Sequence, residues 1–180
     1  VIAGTGTILA DDAALTARDA AGALLPTQPV PVVVGTRAVP PHAAVRAHPR
    51  EPIFLPGPDL RVVLAELYGR GIQSVFVEGG PTLASAFIRE GLADELLVYT
   101  APMLLGGPRG ALTDIGVDTI TDAHRLCISE VQRVGDDLLI IASPADAAAS
   151  RSGTASAPSP SAPSPSAPSP SEVTPNEGHD

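Results

Sequence analysis

The sequence contains no lysine: all 11 of its basic residues are arginine. That absence excludes chemistry that needs a lysine amine, including a Walker-type phosphate loop, a pyridoxal Schiff base and a Ser-Lys dyad. A basic stripe is missing too. The formal charge is −9, and residues 1–143 hold 16 Asp and Glu against 10 Arg, so no nucleic-acid surface is expected. Cysteine occurs once, as Cys127 in the alternating run "RLCISEV". It can form no internal disulfide and reads as a small core thiol rather than a nucleophile. The four histidines show no ligand spacing, so no metal is expected; His42, His48 and His124 read as loop residues. No serine nucleophile elbow is present. No apolar run reaches the length of a membrane span and no signal peptide is recognisable, which makes a cytoplasmic protein the expectation. The sequence opens without Met inside a strand-like segment, as a fragment would.

What is present is enough for one domain: 44% of the 180 residues are apolar. The apolar periodicity stops near Ser143, and "SAPSPSAPSPSAPSP" then repeats a short unit from Ser156 to Pro170. Proline removes donors and serine brings little burial, so residues 144–180 are expected to be a disordered tail after a folded part spanning 1–143.

Within the folded part, Val1–Ala3 reads as the end of a strand. "GTGTILADDAALTAR" reads as a Gly/Thr turn, a short helical turn and a loop, and "VPVVVG" (30–35) as a fully buried strand. A Pro-rich loop leads to a short strand in "EPIFLPG". Leu60, Val63, Leu64 and Leu67 lie on one face of a helix that Asp59 can cap, with Gly71 beyond its end. "SVFVE" (74–78) reads as a strand, and Pro81 as the first position of a helix whose apolar face is Leu83, Ala84, Phe87 and Ile88. "DELLVYTAPMLLGG" reads as a strand running into a glycine loop, and Arg125–Arg133 with Leu138–Ala142 as two antiparallel strands joined around "GDD". The pattern implies an α/β fold: a mixed, mostly parallel sheet flanked by helices, with a C-terminal antiparallel hairpin.

Ligands of such sheets bind beyond the carboxyl ends of the strands, which puts Glu78, Gly79 and Gly80 at the expected site. Glycines at a strand-to-helix joint let a ligand approach the backbone, and the helix start offers unpaired N–H groups to an anion, most naturally a phosphate. The donors expected there are the amides of Gly80, Thr82 and Leu83 and the Thr82 hydroxyl. The plainer alternative is that Gly79 and Gly80 only make a tight turn. Glu78 ends an apolar strand and needs a partner: Arg18, a ligand or water. "GTGTILADD" repeats the logic with Gly4, Gly6, Thr5 and Thr7. Its Asp11 and Asp12 are adjacent and so point in different directions; one can bind while the other caps or faces solvent. A site with phosphate donors and no protein nucleophile suits a cofactor that carries the chemistry.

"GTGTILADDAALTAR" and "VFVEGGPTLASAFIREGLADELLVYTAPMLLGG" together closely resemble the reductase domain of the bifunctional riboflavin-biosynthesis deaminase/reductase, the RibD type, in the dihydrofolate-reductase-like superfamily. The resemblance covers residues 1–143 and implies NADPH-dependent reduction of 5-amino-6-(5-phosphoribosylamino)uracil to its ribityl product. By motif position it places Thr7 and Asp11 on the cofactor, and Leu15, Arg18 and Glu78 on the substrate, with Arg18 as counterion for the substrate phosphate. Gly80, Pro81, Thr82, Leu83, Ala84, Ser85 and Ala86 are placed around the cofactor pyrophosphate. Thr36 stands where the family has Asp-Ser, keeping a hydroxyl at the cofactor, and Arg37 is a candidate contact for the 2′-phosphate. No general acid is assigned; Asp11 and Glu78 are the candidates. Two departures stand out. Ala13 replaces a usual Pro, and the strand and helix with which the family's reductase domain begins are absent, as is the deaminase domain. Relatives commonly dimerise. Two alternatives remain open: a reductase acting on another pteridine or pyrimidine, and a non-catalytic remnant.

Overall fold

The computed structural model describes residues 1–106 and 110–145. The tail expected from residue 144 lies, apart from its first two residues, outside the described residues.

Among the described residues, six strands form two sheets. β1 (Ile2–Gly4), β2 (Val32–Val34) and β3 (Ile53–Leu55) make a parallel sheet in that order. β4 (Leu96–Thr100), β5 (Leu126–Val134) and β6 (Asp137–Pro144) make an antiparallel sheet in the order β4-β6-β5. Three helices accompany them: α1 (Thr5–Asp11), α2 (Leu60–Gly69) and α3 (Pro81–Arg89).

The run Val32, Val33, Val34 is buried throughout because β2 is the central strand and side chains alternate between its faces. Val32 and Val34 join Ile2, Leu55, Leu60, Val63, Leu67 and Phe87 in a core under α2 and α3. Val33 faces the other way, into a second core with Ala3, Ile8, Leu15, Ala43 and Val45. α2 begins where the sequence places it: the Asp59 carboxylate accepts from the amides of Arg61 at 2.9 Å and Val62 at 3.2 Å. Gly71 (φ +83°) and Gly91 (φ +64°) turn the chain left-handed just beyond α2 and α3.

Several expectations need adjustment. The segment 74–78 is not a full strand: it meets β1 through an isolated bridge between Ile2 and Val77, with the Ile2 amide donating to Phe76 O and the Glu78 amide to Ile2 O. Its outer edge has no partner among the described residues, and neither does that of β4; the expected α/β fold is present, with its parallel strands in one sheet and its antiparallel strands in a second. The "GTGT" turn is shorter than expected, since α1 starts directly at Thr5. The terminal hairpin is longer. It turns at Gly135–Asp136 and its ladder continues through Pro144 opposite Leu126, with the Ala145 amide donating to Arg125 O, so order extends past residue 143. Finally, Cys127 is exposed rather than in the core. Alternation misleads here because every residue of β5 is exposed. His48 lies in a loop, as expected, but is buried there, its Nδ1 accepting from the Arg50 amide.

Candidate active site

The carboxyl ends of the parallel strands converge on glycines. β1 ends at Gly4, Gly35 follows β2, and Gly79–Gly80 follow the 74–78 segment. α1 springs from the first of these ends and α3 from the last, so two helix starts stand side by side. What joins them is one hydrogen bond: the Gly80 amide donates to the Thr7 hydroxyl at 3.0 Å, across 73 positions of sequence. The two glycine motifs therefore meet at one place in the fold.

Close packing explains the glycines. A Cβ at Gly79 would stand 3.3 Å from Leu83, and one at Gly35 would fall 2.4 Å from the Thr5 hydroxyl oxygen. Gly35 also has φ +138°, which side-chain-bearing residues rarely adopt. Strand and helix here approach more tightly than any larger residue allows.

The donors at the start of α3 are fewer than the sequence implies. Gly80 N–H is taken by Thr7, and the amides of Leu83 and Ala84 both turn back to Gly80 O, at 3.2 and 3.4 Å. Pro81 has no N–H, and no side chain among the described residues caps the helix. The exposed Thr82 is left with its amide and hydroxyl open among the described residues, at the positive end of the helix dipole. Thr7 keeps its own hydroxyl proton to give to a ligand, because toward Gly80 it acts as acceptor. Ala84 and Ala86 are half-buried along α3. Ser85 sits differently: it is 1% exposed, and its hydroxyl accepts from the Thr113 amide at 2.8 Å. It anchors the loop after β4 to α3 from below rather than facing the open side.

The acidic pair divides its roles. Asp12, in a left-handed conformation at the end of α1, accepts from the Ala44 amide at 2.8 Å and pins the Pro-rich loop. Asp11, one helical turn from Thr7, is exposed and has no partner among the described residues. Leu15 is only 7% exposed and belongs to the second core, and its backbone is left-handed at φ +55°.

Arg18 and Glu78 do not pair. Arg18 donates to Gly22 O at 2.8 Å and to the Thr16 hydroxyl at 3.2 Å, inside a small turn closed by its bridge to Leu24. Glu78 is exposed, and its carboxylate has no hydrogen bond or ion pair among the described residues. Its field is felt at the Val1 amino group, whose pKa burial lowers and Glu78 pulls back up. Thr36 is exposed just after Gly35. Gln28, which sequence reasoning passed over, accepts from the Ala17 amide and donates to Ala17 O and Leu25 O, holding the Arg18 turn in place. A lone amide side chain between Pro26 and Pro29 was its sole signal. No group of three His, Cys, Asp or Glu among the described residues is placed to hold a metal ion. No helix among them is long and apolar enough to cross a membrane.

Comparison with known proteins gives this arrangement a family. Residues 1–140 match the family described as the RibD C-terminal domain. The riboflavin biosynthesis protein RibD of Mycobacterium tuberculosis is 48% identical over 140 residues, which cover 78% of this chain and 41% of that protein. The 2,5-diamino-6-ribosylamino-4(3H)-pyrimidinone 5′-phosphate reductase of Methanothermobacter thermautotrophicus is 32% identical, covering 78% of this chain and 77% of its own length. Among solved structures, Acinetobacter baumannii RibD superposes with a TM-score of 0.71 at 27% identity, over 79% of this chain and 46% of that one. The chain thus spans less than half the length of these RibD relatives, and most of the shorter archaeal reductase. It belongs to the RibD C-terminal domain family.

Proposed function

We propose that this chain is the reductase of riboflavin biosynthesis that converts 5-amino-6-(5-phosphoribosylamino)uracil to its ribityl product with NADPH. The observation that carries the reading is the Thr7–Gly80 hydrogen bond, which fuses two glycine-lined helix starts into one phosphate-competent joint. Its support from relatives is the archaeal reductase, matched over most of its length.

The residues fit a dinucleotide. The uncapped start of α3 offers the Thr82 amide and hydroxyl to a pyrophosphate, Thr7 adds a hydroxyl proton, and Gly79 and Gly80 leave room for backbone approach. A bound NADPH would supply the hydride; the ring-opened sugar imine of the substrate would accept it at its first carbon while the adjacent nitrogen took a proton. Arg18 binds the substrate phosphate through its planar guanidinium, and Gln28 sets the turn that aims it. Glu78, exposed and unpaired, accepts from substrate N–H or hydroxyl groups beside the joint. Asp11 and Glu78 are the carboxylates able to deliver the proton, directly or through water.

A second reading keeps cofactor and fold but changes the pyrimidine, because the archaeal relative is named for a 2,5-diamino-4-pyrimidinone. Steady-state NADPH oxidation with each phosphoribosyl-pyrimidine separates the two. Higher kcat/KM on the uracil supports the first reading, higher kcat/KM on the diaminopyrimidinone supports the second, and turnover of neither contradicts both.

A further inference from the structure

We propose that Gln28 is a positioning residue for the substrate phosphate: its buried side-chain amide suspends the exposed hairpin that carries Arg18, and so sets substrate affinity without touching substrate or cofactor. This rests on the reading of Arg18 above and deepens it, by naming what keeps that arginine in a ligand-ready pose and what its loss would change.

Residues 16–25 form a small hairpin. The Leu25 amide donates to Ala17 O at 3.0 Å and the Asp19 amide to Ala23 O at 2.9 Å, on either side of the bridge between Arg18 and Leu24. Asp19 closes the tip, its carboxylate accepting from the amides of Ala21 and Ala23, both at 2.9 Å. Arg18 folds back onto the same unit through Gly22 O and the Thr16 hydroxyl, which leaves its Nη2 and one Nη1 hydrogen without a partner among the described residues. An anion that meets this open end accepts two parallel bonds from a guanidinium whose rotamer freedom is already lost. The arginine therefore aims only as well as the hairpin is held.

Little holds it. Residues 18–27 are all exposed, and a lone two-stranded hairpin is marginal in water. Among the described residues, the hydrogen bonds of residues 16–25 close within that stretch except those that go to Gln28. Gln28 is only 9% exposed. Its Oε1 accepts from the Ala17 amide at 2.9 Å, while its Nε2 donates to Ala17 O at 2.8 Å and to Leu25 O at 2.7 Å. The side chain thus exchanges both bonds with Ala17 as a residue of a neighbouring antiparallel strand would, and both Nε2 hydrogens are used. Pro29 follows directly and restricts the Gln28 backbone to extended conformations, and β2 begins at Val32. The hairpin hangs from the approach to the central strand by one amide.

The test is steady-state kinetics of the full chain with 5-amino-6-(5-phosphoribosylamino)uracil at saturating NADPH, for the parent, Gln28→Met, Arg18→Ala and the two combined, each first shown to melt cooperatively. Gln28→Met keeps the length of the side chain and removes all three bonds. It is expected to raise substrate KM about tenfold, the scale of one or two net hydrogen bonds, while kcat and the NADPH Kd stay within about twofold. On the Arg18→Ala background the same change should move KM less than about twofold, because Gln28 acts through Arg18. Should Gln28→Met not fold, Gln28→Glu, which keeps an acceptor for the Ala17 amide, replaces it under the same criteria. Failure of both to fold overturns the inference, since a tether for an exposed hairpin is not essential to the core. Full additivity with Arg18→Ala, a fall in kcat at constant KM, equal weakening of NADPH, or no change also overturns it and leaves the reductase reading standing. A folded parent that turns over no phosphoribosyl-pyrimidine overturns that reading, and this inference with it.

Discussion

Replacing Thr7 with Val removes one hydroxyl from a side chain of nearly unchanged shape, and so isolates the bond that joins the two halves of the site. In the parent, the Gly80 amide donates to that hydroxyl at 3.0 Å in a partly buried position. Val offers no acceptor, so the Gly80 amide loses its partner. An unsatisfied, partly buried amide costs about 1–2 kcal/mol. For a folded part of this size that is roughly 2–8 °C of melting temperature. Urea unfolding of parent, Thr7→Val and Thr7→Ser at constant m-value measures it, with Ser expected to recover most of the loss because it keeps the acceptor. NADPH affinity should fall in Thr7→Val beyond what stability explains, since the hydroxyl proton meant for the ligand is gone too. A Thr7→Val chain within about 0.5 kcal/mol of the parent, the scatter of an ordinary surface change, would refute the claim that this bond holds the joint.

Four further outcomes follow from the same structure. Gly35→Ala should destabilise by at least about 2 kcal/mol, because it combines φ +138° with a Cβ 2.4 Å from the Thr5 oxygen; a neutral change in thermal unfolding would show that this turn relaxes freely. Asp59→Ala removes the acceptor of two α2 amides and should cost about 1 kcal/mol, with Asp59→Asn recovering most of it; equal losses in both variants would mean charge, not capping, matters there. Arg18→Ala should raise the substrate KM, and Glu78→Gln should weaken substrate more than NADPH. An unchanged KM removes Arg18 from the phosphate contact, and equal weakening of both ligands counts against the role of Glu78.

Much of this was legible in the sequence where a local rule had no rival. Asp59 before Leu60, Val63 and Leu67 announces a capped amphipathic helix, and the structure has it. Three consecutive valines announce a central strand, since both faces of β2 are covered. Tertiary partnership was not legible. The residues of "SVFVE" have strand propensity, yet a strand exists through its neighbours, and Val77 has one on a single side. Cys127 shows the converse: alternation marks a strand, but which face is covered depends on what packs there. At the site, glycines and threonines pointed to a phosphate, while the division of the amides could not be foreseen. That the Gly80 amide turns to Thr7 rather than outward is a contact between residues far apart in sequence. Nor is the burial of Ser85 readable from the sequence, because helical phase decides which side of α3 a residue occupies. Gln28 carried no motif; its three hydrogen bonds have meaning only once the Arg18 turn is folded.

Isotope transfer tests the central claim most directly. The full chain would be incubated with 5-amino-6-(5-phosphoribosylamino)uracil and NADPH carrying deuterium at its transferable position, and the product analysed by mass spectrometry with fragmentation. The account predicts a ribityl product bearing one deuterium on the first carbon of the chain, next to the pyrimidine amine. A folded chain that binds NADPH yet yields no labelled ribityl product would contradict it.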